Sequence, residues 1–399
     1  MSSKIFSAAV VGLDAEMVEV EADTGGGEHG FFTVVGLPDK AVTEARERVR
    51  SAIKNSSFDF PRVKVTVNLA PAYLPKHGPA FDLPIAVSIL RKNGYLDEKI
   101  NLNDFVFTGE LALNGDLRPI TGALSIALCA QQAGKTCLFL PEENAAEAKL
   151  AREIKVIPLK NLLQLILHLR GEIAIPEQPY RDPELYNIPI EFDMQHVKGQ
   201  EHIKRAMEIA AAGGHNLLMF GPPGSGKTML AKTFPSILPD LSFAEALEVT
   251  KIYSVSGKLR EKNGLVKSRP FRAPHHTASS AALVGGGAVP TPGEISLAHR
   301  GVLFLDEFAE FPRPVLEAMR QPLEDGVITV SRAAGHLEFP AKFILIASMN
   351  PCPCGYYGDR GRNCSCSAIQ IQNYRKKISG PILDRIDMHL EVPRVEFKK

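Results

Sequence analysis

No run in this 399-residue chain is long and apolar enough to cross a membrane. The best one, Leu162 to Leu169, is short and carries Gln164 and His168. No secretory apolar region with a cleavage site follows Met1-Ser2-Ser3-Lys4-Ile5-Phe6, which reads as the start of a strand. A cytoplasmic protein with no membrane partner is expected. Neither sign of charge is in excess: 46 Lys and Arg face 45 Asp and Glu, a formal net charge of +1. This excludes a histone-like basic polymer and an acidic disordered tail. It leaves nucleic-acid binding open, because a local basic stripe can hide in a neutral total. Cysteine is sparse, and four of the six lie between Cys352 and Cys366, which is not the distribution of a disulfide scaffold. Cys129 and Cys137 stand alone in apolar segments and read as small buried hydrophobes. Internal repeats and low-complexity tracts are lacking.

What is present is ordinary for globular proteins: 45% hydrophobic and 23% charged residues. At roughly 150 residues per domain, the length predicts two or three domains. Residues 1–170 form one block of mixed α/β or α+β character. Strands are expected at residues 7–12, 17–22, 31–35, 63–69 and 137–140, and helices at 39–54, 85–90, 123–133 and 145–151. Gly25-Gly26-Gly27 reads as a turn between strands. Residues 171–193 carry Pro176, Pro179, Pro183 and Pro189 and read as a semi-rigid linker. From 194 to 399, strand and helix signals alternate, as in a parallel sheet covered by helices.

The strongest motif is Gly221-Pro222-Pro223-Gly224-Ser225-Gly226-Lys227-Thr228. A short apolar strand, Asn216 to Phe220, precedes it, and a helix signal follows. Its glycines let backbone N–H groups wrap phosphates, Lys227 reaches the β- and γ-phosphates, and Thr228 ligates Mg²⁺. Such a site needs a second carboxylate on a neighbouring strand. Val302-Leu303-Phe304-Leu305-Asp306-Glu307 supplies two. Asp306 is expected to hold Mg²⁺ through water, and Glu307 to orient or activate the attacking water. A third buried strand, Ile344 to Met349, ends at Asn350, which can bond the γ-phosphate or the water; the alternative is a simple turn-starting Asn.

In this order the three strands look like an AAA+ ATPase core. Val197-Lys198-Gly199-Gln200, Phe271-Arg272-Ala273-Pro274-His275-His276-Thr277, Gly293 to Gly301 (Gly-Glu-Ile-Ser-Leu-Ala-His-Arg-Gly), and Met349-Asn350-Pro351-Cys352-Pro353-Cys354-Gly355 resemble the ComM/YifB group, the magnesium-chelatase-like proteins. The resemblance covers nearly the whole chain. It implies an ATP-driven ring, hexameric by the family's habit, that acts on single-stranded or branched DNA as a branch-migration helicase in recombination or natural transformation. Two other functions stay open: a metal-insertion motor subunit like that of magnesium chelatase, and a nucleotide-binding regulator without productive turnover. By the same resemblance Arg385, in Gly380 to Asp387, is the arginine finger reaching a neighbour's γ-phosphate; the alternative is an ion pair with Asp384 or Asp387. The clade's insert maps to Ala278–Glu294 as a projecting loop. A second hairpin is expected over Val327–Phe339, with Arg332 and His336 gripping a polymer in the pore, or else forming an ordinary exposed strand pair. The resemblance also implies a helical lid, yet the sequence ends at Lys399 straight after the Leu390–Pro393 strand signal, as in a truncated or fragmentary product.

The first block resembles the proteolytic domain of Lon. Gly78-Pro79-Ala80-Phe81-Asp82-Leu83 stands where Lon carries its nucleophile motif. Ala80 replaces the serine, and no lysine occurs between Lys99 and Lys135, so both members of the Ser–Lys pair are missing. A Lon-like fold serving assembly or substrate binding, without protease activity, is expected.

Cys352, Cys354, Cys364 and Cys366 suit one structural Zn²⁺ with no open coordination position. An iron–sulfur cluster and free thiols are the alternatives. Residues 352–377 form a basic insertion: Arg360, Arg362, Arg375, Lys376 and Lys377 face only Asp359, with Tyr356, Tyr357 and Tyr374 among them. That mixture suits backbone contact and base stacking with nucleic acid, or a stapled surface loop with ordinary solvation.

Overall fold

A computed structural model describes the chain except residues 1–3, 26–30, 183–190, 260–263, 288–289, 333–334, 360 and 395–399. The side chains of 331–332 and 335–336 also lie outside the described residues, as do Gly26 and Gly27 of the expected turn. The chain forms two compact units. One comprises Met1–Pro183 with Tyr253–Leu265, the other Glu184–Ile252 with Val266–Lys399.

The first unit is built on β1 (Lys4–Val11), β2 (Asp14–Gly25), β3 (Phe32–Val35), β4 (Lys64–Ala70), β5 (Phe105–Phe107), β6 (Cys137–Pro141) and β7 (Lys155–Leu159). Their order in one mixed sheet is β3-β4-β2-β1-β5-β6-β7. Alternation works as expected in β2, where Val18, Val20 and Ala22 point inward. Helix α1 (Lys40–Asn55) starts at Asp39, whose carboxylate accepts the Val42 N–H at 2.7 Å. It buries Val42, Ala45, Val49, Ala52 and Ile53, of which Val42, Val49 and Ile53 each contribute roughly 1.5–3 kcal/mol. Helix α2 (Asp82–Lys92) is buried nearly all round. Its first residue, Asp82, is wholly inaccessible and takes the Arg48 guanidinium at 2.8 and 3.0 Å. Burial pushes the Asp82 carboxyl up to about 6, against the pull of Arg48 and the Leu111 N–H. Helix α3 (Ala123–Gln132) follows expectation, whereas the helix at 145–151 is only Ala145–Ala148. The apolar run Leu162–Leu169 is an amphipathic helix, α4, burying Leu162, Leu165 and Ile166 and capped by Asn161. No helix among the described residues is long and apolar enough to cross a membrane.

Two features depart from the linear reading. The first part of the proline-rich stretch is tied to this unit and is not a free connector. Gln178 N–H donates to Val156 O at 2.8 Å, Glu177 pairs with Lys149 at 2.7 Å, and Ile175 is buried. Residues Tyr253–Leu265, remote in sequence, also complete it. Ser254 donates to the buried Glu147 carboxylate, and the Gly122 N–H bonds Ser254 O at 3.2 Å.

In the second unit, β8 (Leu217–Phe220), β9 (Phe271–Arg272), β10 (Val302–Leu305), β13 (Ile344–Met349) and β14 (Met388–Glu391) make a sheet in the order β9-β10-β13-β8-β14. Every pair in it is parallel. Helices α5 (Glu201–Gly213) and α6 (Lys227–Thr233) cover it, closing a core that includes Ile203, Met207, Leu217, Met219, Phe234 and Phe304. Between β10 and β13 lies a separate antiparallel hairpin, β11 (Val327–Arg332) with β12 (Gly335–Pro340). The segment expected as a projecting loop is partly ordered into a helix, Ser280–Val284, capped by Ser279. A tight pairing of Gly285–Gly286 with Thr291–Pro292 follows. Gly285 has φ +102°, and a Cβ there would lie 2.5 Å from Thr291 O, so only glycine closes this pairing.

Candidate nucleotide and metal sites

A parallel sheet aligns all its strand ends, and ligands bind beyond the carboxyl edge. Register places the end residues side by side: Phe220 pairs with Met349 and Glu391, and Leu305 with Ala347. The residues that follow are Gly221, Asn350, Val392 and Asp306. The sheet thus brings the phosphate-loop motif, the Asp-Glu pair and Asn350 to one edge.

Gly221 admits no side chain, since a Cβ would sit 2.1 Å from Val392 O. Gly224 and Gly226 have φ of +77° and +91° and turn the loop into α6. Lys227 is buried, and its ammonium donates to Gly221 O at 2.8 Å and Pro222 O at 3.0 Å. Burial lowers its pKa, and Asp306 pulls the other way. A buried cation whose bonds go to neutral carbonyls is suited to receiving an anion.

Asp306 is held from three sides. The Thr228 hydroxyl donates to Oδ2 at 2.9 Å, the Ser348 hydroxyl donates to Oδ1, and the Glu307 N–H reaches Oδ1 at 3.0 Å. A hydroxyl and a carboxylate in contact are the hard oxygen donors Mg²⁺ takes beside phosphate, so this pair fits that ion. Glu307 has φ +52°, uncommon for a residue with a Cβ. Its carboxylate lies 3.0 Å from His276 Nδ1. The His275 ring lies beside that of His276, centroids 4.1 Å apart. Sequence spacing alone gives His276 no role. The signal is topological, since His276 follows β9, the strand next to β10.

Arg385 stands elsewhere. It lies three residues before β14, and its carbonyl accepts from the Asn216 side chain at 2.9 Å, just before β8. Both strands therefore begin where Arg385 is and end at the phosphate loop, a strand length of about 13 Å away. Its guanidinium pairs with Glu324 and not with Asp384 or Asp387; Asp387 accepts the Asn216 N–H.

The four cysteine sulfurs converge, all within 4.8 Å of one another. The Cys352–Cys354, Cys352–Cys364 and Cys354–Cys364 separations are 3.4, 3.7 and 3.6 Å. Four sulfurs about 2.3 Å from a central Zn²⁺ would be about 3.8 Å apart, so the donor set fits a tetrahedral ion. The Tyr356 and Ser365 backbone favours the Cys354 thiolate and lowers it to about 5. At Cys364 the Cys366 backbone acts likewise, but desolvation and the neighbouring sulfurs outweigh it and push the thiol up to about 12. A cation among the four sulfurs would stabilise the thiolate form at each of them.

The basic insertion departs from the stacking expectation. Tyr374 is buried on α7 (Ala368–Arg375), not available to a base. Arg362 lies over the Tyr356 ring at 5.1 Å and Arg375 over Tyr357 at 5.4 Å. Lys377 lies over Tyr374 and pairs with Glu310 at 2.9 Å. Arg375 and Lys376 line an open groove of about 510 Å³. Arg360 lies outside the described residues. Arg332 and His336 fall on the last rungs of the β11–β12 hairpin, opposite Gly335 and Ser331, and their side chains are likewise outside the description.

Comparison with known proteins gives consistent results. A family model described as magnesium chelatase, subunit ChlI, matches residues 193–399, and a second, described as subunit ChlI of Mg-chelatase, matches 18–144. Competence protein ComM of Haemophilus influenzae is 47% identical over 393 residues, 98% of this chain and 76% of ComM. The chain belongs to the ComM/YifB family. Another member, the uncharacterized protein YifB of Escherichia coli, is 45% identical over 392 residues, covering 98% of this chain and 76% of YifB. The magnesium-chelatase 38 kDa subunit of Cereibacter sphaeroides is 26% identical over 176 residues, 40% of this chain and 53% of that subunit. Membership of this magnesium-chelatase-like family points to an AAA+ ATPase, in agreement with the parallel sheet and its phosphate loop.

Proposed function

We propose that this protein is an ATP-hydrolysing ring motor that moves DNA, acting as a branch-migration helicase. The observation that carries the ATPase part is the convergence of Lys227, Thr228, Asp306 and Glu307 at one sheet edge. In this reading Lys227 and the loop N–H groups hold the β- and γ-phosphates, and Thr228 and Asp306 hold Mg²⁺, which neutralises phosphate charge. Glu307 orients the attacking water, and Asn350, at the end of the neighbouring strand, bonds the γ-phosphate or that water. Arg385 cannot serve its own loop from the opposite edge, which supports a finger acting on a second copy and hence a closed oligomer, hexameric by family resemblance.

The DNA part rests on kinship with a competence protein and on the exposed cations Arg375 and Lys376, with Arg362, Lys377, Arg360, Arg332 and His336 as further contacts. We infer that the cysteines hold Zn²⁺. The first unit serves assembly or substrate holding: at the position matching Lon's nucleophile Ala80 offers only a methyl, and its backbone carbonyl accepts the Gly109 N–H at 2.9 Å.

The test is ATP hydrolysis with and without branched DNA across a salt series. We expect DNA to raise the rate several-fold, and the stimulation to fall steeply as salt rises, because phosphate contacts release counterions. Robust hydrolysis indifferent to every DNA form would overturn the DNA reading and favour a chelatase-type motor. No hydrolysis under any condition would favour a nucleotide-binding regulator.

A further inference from the structure

The cysteine loop touches the phosphate loop. From Asn350 to Ser367 the described chain has no helix or strand, a length at which loops in compact domains usually have a function or lack order. Yet this one is fixed at several points. Cys352, two residues after Asn350, is wholly inaccessible. The Gly355 N–H bonds back to Cys352 O at 3.0 Å, and Gly355 takes φ +85°. A Cβ at Gly355 would lie 2.9 Å from Pro223 Cγ and Cδ and 3.9 Å from the Asn350 side chain. The backbone here packs directly on the middle of the phosphate loop.

A second connection lies beside it. Asp359 accepts the Gly361 N–H at 3.0 Å and pairs with Arg394 at 3.7 Å. Arg394 in turn donates to Pro223 O at 3.5 Å. One wall of the phosphate loop is therefore the cysteine loop, and the four converging sulfurs bring the two ends of that loop together.

We propose that occupancy of the four-cysteine site controls nucleotide binding, the metal ion holding the Cys352–Cys366 loop against Pro223. The proposal rests on reading the cysteines as a metal site and Gly221–Thr228 as a nucleotide site. Removing the ion releases a long loop without secondary structure, and Pro223 and Asn350 lose their support together. The two sites are then thermodynamically linked, and the linkage is reciprocal. Metal tightens nucleotide binding, and nucleotide tightens metal binding by the same factor.

The experiment measures both directions on the full chain. Zinc is stripped with a chelator under reducing conditions, and binding of a fluorescent ATP analogue is compared before stripping, after stripping, and after one equivalent of Zn²⁺ is returned. We expect affinity to fall about tenfold and to be restored by zinc. Competition against a chelating dye should show zinc held about tenfold tighter when ATP is saturating. Gly355→Ala keeps all four cysteines and forces a Cβ onto Pro223. It should bind one zinc and bind nucleotide several-fold more weakly, and this holds as a test even if stripped protein unfolds. Unchanged nucleotide affinity in folded, stripped protein or in zinc-loaded Gly355→Ala would overturn the proposal, as would failure of the cysteines to bind zinc. Lys227→Ala separates the two readings. It should lose nucleotide and keep its zinc, and full ATP binding by that variant would overturn the nucleotide reading instead.

Discussion

Glu307→Gln will stop turnover while ATP stays bound. Glutamine keeps the shape and can still accept a hydrogen bond from His276, which lies 3.0 Å from the present carboxylate. It removes the charge that polarises water. A positioned general base is worth on the order of 100-fold or more, so hydrolysis should fall by at least about that factor. Binding should change little, because the groups reading phosphate and Mg²⁺ are Lys227, Thr228 and Asp306, and the Thr228–Asp306 contact at 2.9 Å does not involve Glu307. Steady-state hydrolysis and equilibrium ATP binding check this together. A variant that hydrolyses at the wild-type rate would remove Glu307 from the chemistry.

Arg385→Ala will cost more turnover still, with a different signature. An arginine finger contributes on the order of 10³-fold or more by spreading over transition-state charge. The guanidinium now pairs with Glu324 at the opposite sheet edge from the chain's own phosphate loop. Nucleotide affinity of the isolated chain should therefore be unaffected, and only turnover in the assembled protein should collapse. Arg385→Lys should not rescue it, since a point charge lacks the planar fork. An Arg385→Ala protein that turns over normally would return this residue to a plain ion-pair role.

The phosphate loop was legible in the sequence because its chemistry constrains the backbone itself. Gly221, Gly224 and Gly226 are required by a close approach and by left-handed turns, and Lys227-Thr228 must follow. The buried parallel strands were legible for a similar reason, as unbroken apolar runs. The roles of His276 and Gly355 were not. His276 reaches Glu307 only because β9 lies beside β10, and strand order is not written in local pattern. Gly355 meets Pro223 across more than a hundred residues, and nothing in the spacing of cysteines announces that packing. Composition alone did not decide two segments. Tyrosines among cations read as a stacking platform or as a stapled surface loop; the folded segment lays Arg362 and Arg375 over the Tyr356 and Tyr357 rings and buries Tyr374. Likewise residues 171–193 read as a connector, while Gln178 and Glu177 in its first part bind the first unit.

The central claim is an ATPase site shared between copies, with the phosphate loop from one chain and Arg385 from the next. Co-assembly of two dead variants tests it most directly. Lys227→Ala keeps the finger, Arg385→Ala keeps the phosphate loop, and each alone should be inactive. In mixed rings with random placement, about one interface in four joins two intact halves, so co-expressed variants should recover hydrolysis toward about a quarter of the wild-type rate. Co-assembled protein no more active than either variant alone would contradict the shared site.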